Sequence, residues 1–465
     1  MRLLTADTSV LYHPLHSGET FRVFELYPGK GDEPLRGGLH YRNLKCPQDY
    51  EALSYLWGHA TSSIPRTRNR PIIQCNGRDM IVTPNLTQAL CDLRHEVKPL
   101  FYFIDAICIN QEDQTERGHQ VALMGSVYSN ARRVVIWICQ SADWDARHVL
   151  PAHPPALFTN IRARRGFGAI CQIVNRWLAT TKQNRKASYA YGRPGSPDLW
   201  LYCEDFDDEE SLTRIAPFMP QLWWSIADIF QAPWFWRIWV VQEVVLAKDA
   251  VVRWGDAQID WRWLGTAAAL LRTNYRDVCG ALSMGGVYNA YLSYRMSPTM
   301  SELPPPKLCF LDLMRLTRQL DCTDHRDRAY GLLSIATSDN VPGSDNLFLK
   351  PDYSISSFEL WRRIAWKAIT ATKTLSILSS VQYTAAIPGY ESERQVTGSF
   401  GPLSGLGERP ESMPSWIPNW EKVLRATLAP WDQDDSFAAA KDFPLDLTEW
   451  TDTCPDVLTV SEIMI

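Results

Sequence analysis

Most of the short motifs that mark a chemical activity are missing from this chain. Its eleven cysteines include no CxxC pair, and its nine histidines show neither HExxH nor HxxxH spacing, so a zinc site has no support. The GHAT stretch, Gly58 to Thr61, lacks the GK[ST] ending of a phosphate loop. No stretch reaches the ~18 uninterrupted apolar residues of a membrane span, and Met1 to Thr20 has no apolar core of signal-peptide length. A basic excess is also lacking: the net charge is −5, so no nucleic-acid partner is expected. Scattered cysteines without a secretion signal read as reduced thiols, which implies a cytoplasmic protein.

What is present is ordinary globular material in quantity. The chain has 465 residues, 45% hydrophobic and 21% charged, enough for more than one domain. Nineteen tryptophans point to heavily aromatic packing.

Local patterns place the elements. FRVFELY (Phe21 to Tyr27) alternates like a strand, and YEALSYLWG (Tyr50 to Gly58) is a strand ending in glycine. Asn76-Gly77 between two apolar runs signals a hairpin, because both turn residues take positive φ. Thr83 as N-cap and Pro84 at the first position open a helix whose buried face is Leu86, Ala89, Leu90 and Leu93. Phe101 to Ile104 is a buried strand ending at Asp105. Asp113 caps a helix running to about Asn130 with Val121, Met124, Val127 and Tyr128 inward. Arg133 to Ile138 is the next strand, so this is a βαβ unit with parallel strands. Residues 140–221 read as an insertion with one or two helices. Its basic run (Arg162 to Arg165) and acidic cluster (Glu204 to Glu210) read as solvated surface. Order returns near Pro233 with a buried, apolar helix and the strand AVVRWG. From Asp256 the pattern is mainly helical, with apolar helices around Leu308 to Leu316 and Phe358 to Ile369. Trp416 and Trp420 are expected to contact other parts of the chain.

Three stretches then stand out together: YEALSYLWG, FYFIDAICINQEDQTERGHQVALMGSVYSNARRVVIWI and PWFWRIWVVQEVVLAKD. They resemble, in order, the signatures of the fungal heterokaryon incompatibility (HET) domain. CTDHRDRAYGLLSIA, PDYSISSFELW and MPSWIPNW resemble the segments that commonly follow it. Two departures are Cys139-Gln140, where a glycine is common, and His325, where the family often has proline. The resemblance implies a cytosolic effector of non-self recognition that leads to programmed cell death. It also implies a remote kinship to TIR domains, hence an α/β, flavodoxin/TIR-like fold with a mostly parallel sheet and flanking helices. The expected HET domain is 21–255, with a core at 50–245. A mainly α-helical C-terminal region, 256–465, is expected to pack on it.

Some TIR domains cleave NAD with a glutamate in a WxxxE motif, and Trp239 to Glu243 has that spacing. Glu243 is therefore the catalytic candidate. On a helix it shares a face with Trp239, and an apolar setting raises a carboxyl pKa. The competing reading pairs Glu243 with Arg237 or Arg253 as a structural lock. Asp105 ends a parallel strand, where open α/β sheets bind ligands, or else caps the next turn. Asn110 and Gln111 either contact a ligand or tie down their own loop. Ser54, Tyr55, Trp57 and Gly58 end the first strand. Trp57 offers a stacking face or core packing, and Gly58 allows close approach or a tight turn. Cys108 reads as a buried, inert thiol. No metal and no resident cofactor are expected; NAD enters only as a substrate. Two functions stay open: a TIR-like enzyme that consumes NAD on self-association, and a non-enzymatic death-inducing module that acts through a protein partner.

Overall fold

The computed structural model describes residues 11–15, 18–47, 49–57, 71–138, 156–192, 200–202, 220–344, 347–372, 375–381, 414 and 416–421. Gly58, the acidic cluster at 204–210 and the Cys139-Gln140 pair lie outside these residues. The chain divides into two compact units, Met1–Pro306 and Lys307–Ile465.

The first unit is α/β and is built on one eleven-stranded mixed sheet. Its strands are β1 (Thr20–Leu26), β2 (Arg36–Asn43), β3 (Glu51–Tyr55), β4 (Ile72–Cys75), β5 (Arg78–Ile81), β6 (Leu100–Phe103), β7 (Val134–Trp137), β8 (Tyr189–Tyr191), β9 (Trp200–Tyr202), β10 (Ala250–Trp254) and β11 (Ala257–Asp260). Their order is β5-β4-β2-β1-β6-β3-β7-β10-β11-β8-β9.

The expectation of a mostly parallel sheet needs correction. Parallel pairing is confined to the centre, β6-β3-β7-β10, and to the β2-β4 pair. The other described pairings are antiparallel. The reason is connectivity. Tight turns join β4 to β5 and β10 to β11, and a tight turn can only produce antiparallel neighbours. The β6 and β7 strands of the βαβ unit run parallel, but β3 lies between them. The central strands β3 and β7 are buried at every residue, as strands covered on both faces must be.

Local chemistry sets several of these elements. Asn76 and Gly77 have φ of 52° and 74°, and they turn β4 into β5 at the sheet edge. Thr83 Oγ1 accepts from the Leu86 N–H at 3.2 Å to start the Pro84–Leu93 helix, and all four expected apolar residues are buried. Asp113 Oδ1 accepts from Thr115 N and Glu116 N at 2.9 and 3.0 Å and caps the Gln114–Asn130 helix. Met124, Val127 and Tyr128 of that helix are buried, and Val121 is half-buried.

Tertiary pairing overrides the sequence reading elsewhere. The expected insertion supplies β8 and β9 to the sheet, along with the Ala156–Thr180 helix. Two arginines of its basic run are not simply solvated. Arg162 Nε donates to Asp228 Oδ2 at 2.8 Å, and Arg164 Nε donates to Asp256 Oδ1 at 3.2 Å. The expected single helix at Pro233 is two pieces: a 3-10 turn, Pro233–Trp236, then the Trp239–Val245 helix. Arg237, with extended backbone (φ −81°, ψ 135°), separates them.

The sequence reading ends the first domain at 255. Packing carries it on to Pro306, because the Trp261–Asn274 helix follows β11 directly and buries Leu264, Ala267, Ala268 and Leu271 against the sheet and its helices. The second unit has helices at Phe310–Leu316, Asp327–Tyr330 and Ser357–Thr372. Trp416 and Trp420 are buried within it, and the Arg318 guanidinium lies 4.6 Å from the Trp420 ring centre.

Candidate functional site

The C-terminal end of β3 meets the Trp239–Val245 helix through Ser54 and Glu243. Ser54 carries an aliphatic hydroxyl inside the buried EALSY strand, and a buried hydroxyl needs partners. It has two. Its Oγ accepts from the Trp234 indole N–H at 2.9 Å and donates its own proton to Glu243 Oε2. Among the described residues this is the only hydrogen bond to the Glu243 side chain, and no ion pair reaches it. Glu243 and Ser54 are each only 1% exposed.

Glu243 is thus a desolvated carboxyl, not half of a salt bridge. Burial pushes its pKa up to about 7, the charge of Asp105 adds to the rise, and Arg237 and the Ser54 hydrogen bond pull it down. The Asp105 carboxyl is also held above its usual range, chiefly by burial, again with Arg237 opposing. One guanidinium therefore serves two buried acids. Arg237 is fixed by donating from Nη1 to the Tyr55 carbonyl. With a pKa of about 7, Glu243 carries less than a full negative charge near neutral pH, the condition in which a carboxyl can act as acid or base.

Asp105 is held from two sides. The Trp57 indole N–H is shared between Oδ1 and Oδ2, both at 2.9 Å, and the Ala106 N–H donates to Oδ1 at 2.8 Å. It therefore caps its own turn and anchors Trp57, which is half-buried. The Tyr55 hydroxyl is buried, has no hydrogen-bond partner among the described residues, and is held neutral by burial and the nearby carboxylates. Trp239 packs half-buried against the core. Gln111 Nε2 donates to the Asp105 carbonyl at 2.9 Å. Asn110 accepts from Glu112 N at 3.2 Å, and its own N–H donates to Glu116 Oε1 at 2.8 Å. Both residues tie the loop that carries Asp105. Cys108 is buried in its own hydrogen bonds, and burial holds its thiol protonated.

The structure thus brings Glu243, Asp105, Tyr55 and Trp57 into one cluster. It adds Ser54, Trp234 and Arg237, to which the sequence reading assigned no place in a site. A polar residue inside a fully buried strand was the available signal for Ser54. Gln242 is fully buried with neither amide atom bonded among the described residues, and no motif marks it.

A pH dependence follows. The folded pKa of Glu243 is raised, so between about pH 4.5 and 7 the folded chain holds a proton that the unfolded chain has lost. The associated stability is present in full below that window and is lost as pH rises through it, by about 3 kcal/mol. Urea unfolding of wild type and Glu243→Gln at pH 5 and pH 8 should show a larger loss in the wild type than in the variant, where Asp105 alone stays raised. Equal losses in both would refute a desolvated Glu243.

Among the described residues no helix is long and apolar enough to cross a membrane. Residues 50–243 match the family model described as heterokaryon incompatibility protein (HET). That span opens just before β3 and closes on Glu243, so it contains every residue of the cluster. Heterokaryon incompatibility protein 6, OR allele, of Neurospora crassa is 24% identical to this chain over 90% of its length. The chain spans 60% of the length of that relative. No solved structure matches.

Proposed function

The chain is a heterokaryon incompatibility (HET) domain protein, and from that premise we propose that it is a cytoplasmic effector of fungal non-self recognition whose activation leads to programmed cell death. We further propose that the first unit is TIR-like in function and cleaves NAD between nicotinamide and ribose. The observation that carries this reading is the buried pair Glu243 and Asp105 under one arginine. An ionised Glu243 would steady the oxocarbenium-like ribose as nicotinamide departs and water adds. Ser54 orients that carboxylate, and Trp57 and Arg237, both half-buried, are the most exposed members of the cluster.

One feature favours a second reading. Glu243 and Ser54 are closed off from solvent, which suits a structural lock in a non-enzymatic module that kills by oligomerising with a protein partner. Inducible expression in a fungal host separates the two. The enzyme reading expects the cellular NAD pool to fall before viability does, with wild type but not with Glu243→Gln. Death with an undiminished NAD pool would leave only the interaction module.

A further inference from the structure

The face of the sheet opposite Glu243 carries a second feature, which does not rest on the NAD reading. The pairing register puts Glu51, Tyr102, Val135, Val251, Arg253 and Gln258 on one face, whereas Ser54 points to the other. These residues, with Arg132, Arg133 and His95, line a cavity of about 250 Å³.

The charge of this cavity is unbalanced. Glu51 is bound by both Arg132 and Arg133, the latter at 2.9 Å. Arg253 is left over. It is 3% exposed, and among the described residues no carboxylate lies within 4.0 Å of it. Its only hydrogen bonds are marginal, 3.5 Å to Gln258 Oε1 and 3.5 Å to the Gly192 carbonyl, and its Nε is buried without a partner. A guanidinium cannot shed its proton to escape burial, so an uncompensated one is costly. Asp92 and Asp256 act on Arg253 only through their field, not by contact: Asp92 accepts from the Trp137 indole and Asp256 pairs with Arg164. His95 adds a donor. Its Nδ1 accepts from Val97 N and Lys98 N at 2.9 and 3.0 Å, which leaves the proton on Nε2.

We propose that this cavity is a binding site for a small phosphate-bearing ligand, with Arg253 as its buried anchor and Arg132, Arg133 and His95 as its rim. Three guanidinium groups against the single Glu51 carboxylate leave a surplus that matches a phosphate dianion better than a monocarboxylate. The volume is below the roughly 300–1,000 Å³ of drug-sized sites, so the ligand is small. Its place on the face away from Glu243 makes it a regulatory site, acting by stabilising the folded unit, and not a substrate subsite.

The test is calorimetric titration and thermal unfolding of the full chain with inorganic phosphate, pyrophosphate and, at matched ionic strength, chloride and acetate. Saturable binding of phosphate or pyrophosphate is expected, with a melting temperature that rises with ligand concentration. Arg253→Met should weaken binding by more than about tenfold. Arg132→Gln, a change at a half-exposed rim position, should weaken it by less than about tenfold and reduce its salt dependence. Should Arg253→Met fail to fold, Arg132→Gln decides alone. Absence of saturable binding by the wild type, binding of acetate as tightly as phosphate, or unchanged affinity in the folded variants would overturn the proposal.

Discussion

Glu243→Gln is expected to abolish killing and to lower NAD turnover by roughly 10²–10⁴-fold, while leaving the folded protein at least as stable as the wild type at neutral pH. The geometry makes this substitution unusually clean. The Glu243 carboxylate accepts from Ser54 and is in no ion pair among the described residues. A glutamine carbonyl can accept the same hydrogen bond, so no buried cation is stranded. Removing a charge that burial already disfavours should cost nothing in stability. Activity and stability therefore separate in this variant. Glu243→Ala is the weaker probe, because it opens a cavity and leaves the Ser54 proton without an acceptor. A Glu243→Gln protein that folds and still kills would remove the catalytic role. One that unfolds would point to an ion pair absent from this structure.

The second large effect is expected far from Glu243, at Arg22 and Glu116. Arg22 is fully buried in β1 and bonds Glu116 through both terminal nitrogens, at 2.6 and 3.0 Å. It also donates to the Cys108 and His13 carbonyls at 3.2 and 2.7 Å. The Tyr12 and Tyr41 rings flank its guanidinium at 5.1 and 5.5 Å. Glu116 in turn accepts from Asn110 N, so the pair clamps the loop after Asp105 to the sheet. Glu116→Gln leaves a buried guanidinium without its counter-charge and should destabilise the fold by about 3–5 kcal/mol. Arg22→Met strands the Glu116 carboxylate and removes the donors to the Cys108 and His13 carbonyls, so it should cost at least as much. Urea midpoints at constant slope measure both. A loss of less than about 1 kcal/mol in either variant would contradict the clamp.

What could be read from the sequence follows the range of the interactions. Asn76-Gly77, Thr83-Pro84 and Asp113 act on backbone within a few residues, and each does what its chemistry implies. The buried strands at Glu51–Tyr55 and Val134–Trp137 were legible from composition alone. Strand order was not, because β3 enters between β6 and β7 from a distant part of the chain. The short AQID strand was lost in a mainly helical reading of that region, and β8 and β9 were hidden in a segment of loose pattern. The candidate site was half legible. WxxxE spacing and the strand-end aspartate marked Glu243 and Asp105. Ser54 and Glu243 are 189 residues apart, and no local period links them. The same holds for Arg237, which the sequence offered only as a salt-bridge partner. It instead holds the Tyr55 carbonyl and tunes two acids at once.

Glu243 is proposed to perform chemistry on NAD. The most direct test is incubation of the purified chain with NAD at concentrations high enough to favour self-association, with the products separated and identified. Release of nicotinamide and ADP-ribose by the wild type, and by no folded Glu243→Gln sample, is the predicted result. Intact NAD after prolonged incubation with associated wild-type protein, or equal turnover by the variant, would contradict it.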